Sequence, residues 1–428
     1  MNKCIEYRRE FHKYPENGWS EIRTSSRVAE LLLGMGIDTI LMGEDVVDTA
    51  LLETKPIDLS QENRERNIAR AISQGAREDL ARKTNGYPGV IAIIDTCKPG
   101  PTFALRFDMD SLPYTEEADN TCPSMMYDYS STNANAVHAC GHDAHTAIGL
   151  CLAEEIIKNT QEFCGKIKLI FQPAEEIVAG AASIVSKGHL NDVDYFFAVH
   201  LALSSENQPL PSHTIACGCK DFLSHRQLDV TFHGLAAHPC GAAQEGKNAI
   251  LAACTAVMNL HSIAPHEKGL CRVNVGEIHG GVCSNTIAPE CSIKLEFRGE
   301  YQIISDYLNT RVFNILEGAA KCHDVNFTYV DYGEVPSGKS DDEMMEIIQE
   351  EASNIPWFKK IYFEGNLGGT DDAAVMLNCV QSHGGKGTYI GIGTDIRRPL
   401  HHPGFDFDES CLMPTVDLLA NTLRRCWN

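Results

Sequence analysis

Hydrophobic and polar positions alternate in two distinct ways along this chain. Short apolar runs of the buried-strand kind occur in "GVIAIIDT", "TFALRFDMD", "GKIKLIFQPAEE", "VDYFFAVHLAL" and, much later, "GTYIGIGT". Helical patterns separate several of them, and "HTAIGLCLAEEIIK" is the clearest. This is the wording of an α/β domain. From about residue 221 to 332 the pattern changes. In "QLDVTFHG", Leu228, Val230 and Phe232 share one face, and Asp229, Thr231 and His233 share the other. "GKNAILAACTAVMNLHSI" has helical spacing, "CRVNVGEIHGG" and "CSIKLEFRGE" alternate, "YQIISDYLNTRVFNILEGAAKC" is helical and "VNFTYVDYG" closes as a strand. The order β-α-β-β-α-β predicts a small α+β, ferredoxin-like domain at 221–332. It is inserted into a larger domain formed by 1–220 and 333–428. Residues 44–88 hold a polar, mostly helical stretch, "SQENRERNIARAISQGAREDLARKTNG", that reads as an insertion or cap.

Composition narrows the function classes. The 428 residues carry a net charge of −22, which argues against nucleic acid as a partner, since a phosphate backbone needs a basic surface. No apolar stretch reaches the length of a membrane span, and the N-terminal residues lack the apolar core of a signal peptide. The 17 cysteines are scattered and odd in number, unlike a disulfide framework. These features lead us to expect a soluble, cytoplasmic protein.

The chemistry concentrates in "HACGHDAHT", residues 138–146. In an open α/β sheet, ligands bind beyond the carboxyl ends of the strands. The predicted strands end on Asp108 and Asp110, on Glu175 and Glu176, on His200, and on a loop with His401 and His402. Cys140 and His142 precede a helix. Five segments thus send metal-type donors to one sheet edge. Each has a plainer reading: His200 as a capping residue, the glutamates as solvated loop charges, the aspartates as turn residues. Their convergence favours a metal site. A mixture of one thiolate, imidazoles and carboxylates suits zinc, manganese or cobalt, and not calcium or magnesium. Two ions sharing one ligand would use all of these donors and leave room for water. One of the paired glutamates could bind metal while the other serves as general base.

"RREFHKYPENGWSEIRT", "RFDMDSLP", "HACGHDAHTAIGL", "FQPAEE", "GLAAHP" with "GKNAILAA", and "HHPGFDFDE" resemble the amidohydrolase branch of the aminoacylase and carboxypeptidase G type metallopeptidase superfamily. Within it, the chain is most similar to the A-type subunits of the aminobenzoyl-glutamate hydrolase group, from about residue 5 onwards and through the insertion at 44–88. The resemblance implies a dimetal aminopeptidase-like catalytic domain with a lid and dimerisation domain inserted. Cys140 would bridge two divalent ions, manganese or else zinc. His142, Glu176, His200 and His401 would complete the ligands, with His401 preferred over His402. Glu175 would be the general base and acid, and Asp110 would orient a ligand. His238 would reach the active site of a partner protomer and polarise the scissile carbonyl; its plainer reading is a turn residue before Pro239. Asn285 and Arg298 would hold the substrate's carboxylate, although Arg298 also reads as a strand-face surface charge. Gly369 would be a substrate-binding position. It opens "GTDD", where the family has Gly-Ser-Glu-Asp. "RPLHHPG" replaces the group's Gly-His-His-Asn, so Arg397 and Arg398 are additions.

The activity implied is hydrolysis of an N-acyl or N-aroyl amino acid, foremost p-aminobenzoyl-glutamate. Indoleacetyl-aspartate, other N-acyl amino acids and dipeptides are the alternatives. Assembly would be a homodimer or a hetero-oligomer with a related chain. A non-catalytic partner chain should have lost the glutamate base or several ligands, and a metal store should lack the spare carboxylate. This chain keeps both features.

Overall fold

The computed structural model describes residues 2–425. The chain divides into two compact units, Met1–Lys220 with Lys339–Asn428, and Asp221–Gly338.

The first unit is built on an eight-stranded sheet, in the order Ile40–Met42, Val90–Asp95, Lys166–Gln172, Thr102–Asp108, Tyr195–Leu201, Lys386–Ile392, Thr214–Ala216 and Lys360–Tyr362. The middle four strands run parallel, with Phe103 opposite both Ile167 and Tyr195, and Thr388 opposite Phe197. Their carboxyl ends therefore meet at one edge. From Thr102–Asp108 the chain crosses to the neighbour on one side, then returns past it to the neighbour on the other. Such a reversal opens the crevice in which α/β proteins bind ligands.

The crossover out of Thr102–Asp108 includes the helix His142–Lys158, which is buried along most of its length. It lies against the sheet because Gly149 has no side chain. A Cβ there would stand 2.6 Å from Phe107 Cδ2 and 2.8 Å from Phe171 Cε1. The 44–88 segment forms the helices Thr49–Leu52, Gln61–Ser73 and Glu78–Lys83. Ile68 and Ala71 of the middle helix pack with Ile22 and Ala81 in a small core of their own.

The second unit has a four-stranded antiparallel sheet in the order Cys271–Gly280, Glu290–Gly299, His225–His233, Asn326–Val335. The helices Ala249–Leu260 and Gln302–Cys322 share a core with it. Leu228, Val230 and Phe232 are fully buried in that core. The closing junction at 332/333 requires correction, because this unit extends to Gly338. The last strand absorbs an irregularity between Asp331 and Glu334 and goes on to pair Glu334 with Arg226 and Val335 with His225. Among the described residues no helix is long and apolar enough to cross a membrane.

Candidate metal centre

The donors reach the sheet edge by different local routes. Gly141, with φ of 91°, turns the chain in the left-handed region and caps the helix that begins at His142. Cys140 and His142 thus flank a sharp turn. Glu175 and Glu176 follow the strand Lys166–Gln172, and His200 is the penultimate residue of Tyr195–Leu201. His401 sits at φ of 65° and is tethered through its backbone N–H to Ala139 O, at 2.7 Å.

These side chains converge. Cys140 Sγ lies 3.5 Å from His200 Nε2 and 3.4 Å from His401 Nε2. Glu176 Oε2 is 3.5 Å from His401 Nε2, and Glu176 Oε1 is 3.9 Å from His142 Nε2. Donors about 2.0–2.3 Å from a tetrahedral ion stand roughly 3.3–3.8 Å from each other, so these separations are those of a ligand cage. Cys140, His142 and His200 form one such group, and Cys140, Glu176 and His401 form another. Cys140 belongs to both.

The residues fit a cation on a second count. His142 Nε2 and Glu176 Oε1 are buried without a hydrogen-bond partner, a costly state unless an ion satisfies them. Their surroundings aim them. His142 Nδ1 lies 3.1 Å from Asp110 O and 3.3 Å from its Oδ1, and His200 Nδ1 lies 2.7 Å from Leu201 O. Donating there leaves both Nε2 lone pairs free for a metal. Burial and the neighbouring His145 push the His200 pKa down to about 3, so the ring is neutral. Asp110 Oδ2 also accepts the backbone N–H of Glu176, at 2.9 Å.

Glu175 differs from its neighbour. Its Oε2 is 3.8 Å from His142 Nε2, and its carboxylate also lies with those of Asp371 and Asp372. Burial, with the charges of Asp371 and Glu176, holds its carboxyl well above the usual range. A cation beside it would draw that value back down. Burial likewise raises Glu176, to about 7.

Other sequence candidates have different surroundings. Asp108 Oδ2 pairs with Arg106 at 2.6 Å, and Asp108 Oδ1 with His145 Nδ1 at 2.5 Å, while His145 Nε2 accepts the Leu201 N–H. His402 is engaged in its own turn, with Nδ1 accepting the Gly404 N–H. Asp143 joins Arg8 and His12 in a buried charged cluster, and the helix cap falls to Gly141. His138 is buried and neutral, with a pKa lowered to about 3 by burial. In the second unit, His238 and Asn285 are exposed, and Arg298 is half-buried beside Glu296 at 3.0 Å. Gly369 has open space where a Cβ would stand. Arg397 is tied to Glu117 and Asp119.

Sequence reasoning passed over Arg106, which is fully buried and pairs with Asp108, Asp371 and Asp372, and Tyr389, whose hydroxyl donates to Asp371. The signal was present in "GTDD", where two adjacent acids call for a buried cation.

The α/β fold thus gathers a thiol, three imidazoles and two carboxylates at its switch point, a set able to hold metal. Residues 104–425 match peptidase family M20/M25/M40, and the chain belongs to that family, as a hydrolase of amide bonds. It is 37% identical over 424 residues to the indole-3-acetyl-aspartic acid hydrolase of Enterobacter agglomerans, covering 99% of this chain and 95% of that one. It is 37% identical over 422 residues to a p-aminobenzoyl-glutamate hydrolase subunit from Escherichia coli (strain K12), covering 98% and 95%. Among solved structures, the aminobenzoyl-glutamate utilization protein from Klebsiella pneumoniae superposes with a TM-score of 0.79 at 33% identity, covering 99% and 95%.

Proposed function

We propose that this chain hydrolyses the amide between an aroyl or acyl group and the nitrogen of an amino acid, with p-aminobenzoyl-glutamate as the favoured substrate. Indole-3-acetyl-aspartate is the second reading, supported by the equal identity to the hydrolase named for it. The observation that carries the proposal is the division between adjacent glutamates. Glu176 groups with Cys140 and His401 around the shared sulfur, whereas Glu175 groups with His142 and Glu176 on one side and with Asp371 and Asp372 on the other, and not with Cys140.

Cys140, His142, Glu176, His200 and His401 would hold two divalent ions, with Cys140 shared; the mixed donor set suits a first-row ion such as manganese or zinc. When bound, such ions polarise the scissile carbonyl and acidify water. Glu175 takes the proton from the attacking water and delivers it to the leaving nitrogen. Asp110 keeps His142 and the Glu176 backbone in register. His238 Nδ1 accepts the backbone N–H groups of Cys240 and Gly241, at 3.2 and 3.0 Å, so its proton resides on Nε2. That makes the exposed ring a donor suited to an oxyanion, supplied to the site of a partner protomer. Asn285 and Arg298 would bind the substrate's carboxylate, and the open space at Gly369 would admit its backbone.

Met258 and Leu251 support assembly through the second unit: both lie on the helix Ala249–Leu260, 73% and 51% exposed. The Escherichia coli relative is named as one part of a larger enzyme, so the partner would be a second copy or a related chain. The scattered, odd-numbered cysteines suit a reducing, cytoplasmic setting.

The test is amino-acid release from both substrates by metal-stripped protein reloaded with manganese or zinc, beside Glu175→Ala. Turnover should depend on metal, and the variant should lose about 10²–10⁴-fold in kcat while keeping its metal. A variant as active as the parent would remove Glu175 from the chemistry.

A further inference from the structure

The segment that delivers the two glutamates is strained and gripped by carboxylates. Ala174, immediately before Glu175, has φ of 55°, and Val178 has φ of 49°. Non-glycine residues hold such angles only where their surroundings over-determine them. Three acids accept backbone N–H groups along this stretch: Glu21 Oε1 from Ala174 at 2.7 Å, Asp110 Oδ2 from Glu176 at 2.9 Å, and Asp372 Oδ2 from Ala181 at 2.9 Å.

Glu21 is the grip without an obvious local duty. It directly precedes the helix Ile22–Gly34, yet its side chain does not cap that helix. Glu16 does so instead, accepting the N–H groups of Arg23 and Thr24 at 3.1 and 2.8 Å. Glu21 is fully buried, and its second oxygen has no hydrogen-bond partner. The turn that bears it is fixed from two sides. A Cβ on Gly18 would meet Ile177 Cγ1 at 3.2 Å and Ala174 Cα at 3.3 Å, so the two loops touch. Arg70, from the inserted helix Gln61–Ser73, donates to Glu16 Oε1 and to Ser20 O, both at 2.5 Å.

We infer that Glu21 is a positioning residue for the general base: by accepting the Ala174 N–H it holds that residue in the left-handed region and so sets where Glu175 points. This rests on the base role proposed above. The inserted helices gain a role as well, bracing the Glu16–Glu21 turn through Arg70.

The test compares Glu21→Gln, Glu21→Leu and Glu21→Leu with Ala174→Gly, using the full-length chain. Glutamine keeps an acceptor of the same shape; leucine removes it; glycine at 174 accepts the positive φ without strain. Amide exchange is followed in metal-free protein over 174–181. Glu21→Leu should raise exchange there by about tenfold, the equivalent of about 1.4 kcal/mol, and leave the other segments alone. After reloading, it should lower kcat by about tenfold, with KM within about threefold and metal content unchanged. Glu21→Gln should stay within about threefold of the parent in both readouts, and Ala174→Gly should recover much of the leucine loss. Glu21→Leu with unchanged exchange, or Glu21→Gln as damaged as Glu21→Leu, overturns the inference. If the leucine variant does not fold, Glu21→Gln decides alone, since a tenfold rise in local exchange there excludes the acceptor role. If the reloaded parent cleaves neither substrate, the proposed function fails, while the exchange comparison still decides Glu21.

Discussion

His12 shows how two carboxylates can reverse the effect of burial. The ring is 1% exposed, which by itself would keep it neutral. Its Nδ1 lies 2.8 Å from Asp143 Oδ2 and its Nε2 lies 3.2 Å from Glu116 Oε1. Burial lowers the pKa, and the hydrogen bonds to Asp143 and Glu116 outweigh it, raising the pKa to about 9 from an ordinary 6.5. Between those values the folded chain keeps a proton that the unfolded chain has released. The stabilisation is therefore complete below about pH 6.5 and lost as pH rises through about 9. Urea unfolding midpoints measured across that window should fall with pH in the parent and fall less in His12→Gln; parallel curves would place the effect elsewhere. Arg106 makes the opposite point about removal. Arg106→Met would strand Asp108, Asp371 and Asp372 without their cation, at a cost of roughly 3–5 kcal/mol in denaturant unfolding. A loss under about 1 kcal/mol would mean that the acids are neutralised in another way.

At the scale of elements, the helix His142–Lys158 depends on a missing methyl group. Gly149→Ala improves intrinsic helix propensity by about 1 kcal/mol. It also drives a Cβ into Phe107 and Phe171, two fully buried rings on adjacent strands. Overpacking should dominate, with a net loss of about 1–3 kcal/mol in unfolding free energy; a more stable variant would show that the rings yield. The same elements show what a sequence makes legible. The long parallel strands and the βαββαβ order were readable because five to ten residues suffice to display a period. Ile40–Met42, Thr214–Ala216 and Lys360–Tyr362 were not, since three residues carry no periodicity and pair only because neighbouring strands are already in place. The candidate donors were legible because each lies at or near a recognisable strand end or helix start. The Glu21 grip was hidden, since it joins positions 153 apart in sequence through a backbone amide that no residue identity reveals.

At the scale of the whole molecule, function and stability are linked through one unit. All five candidate ligands belong to Met1–Lys220 and Lys339–Asn428, and they come from segments as distant as Cys140 and His401. An ion held between them binds only the folded arrangement, because the unfolded chain disperses the donors. Binding then adds RT ln(1 + [L]/Kd) to stability, about 2.7 kcal/mol when free metal is a hundredfold above its dissociation constant. Asp221–Gly338 has a separate core of Leu228, Val230, Phe232, Ile293 and Leu295, and contributes no donor to the cage. Chelation should therefore lower the unfolding temperature of the first unit, while amide exchange in the core strands of the second stays unchanged. Calorimetry of stripped and manganese-loaded protein, paired with exchange measured in both states, checks this. Equal protection of both cores by metal would show that the units unfold as one cooperative block. No effect on either would mean that the cage closes without its ions, and that the unpartnered His142 Nε2 and Glu176 Oε1 are satisfied by other means.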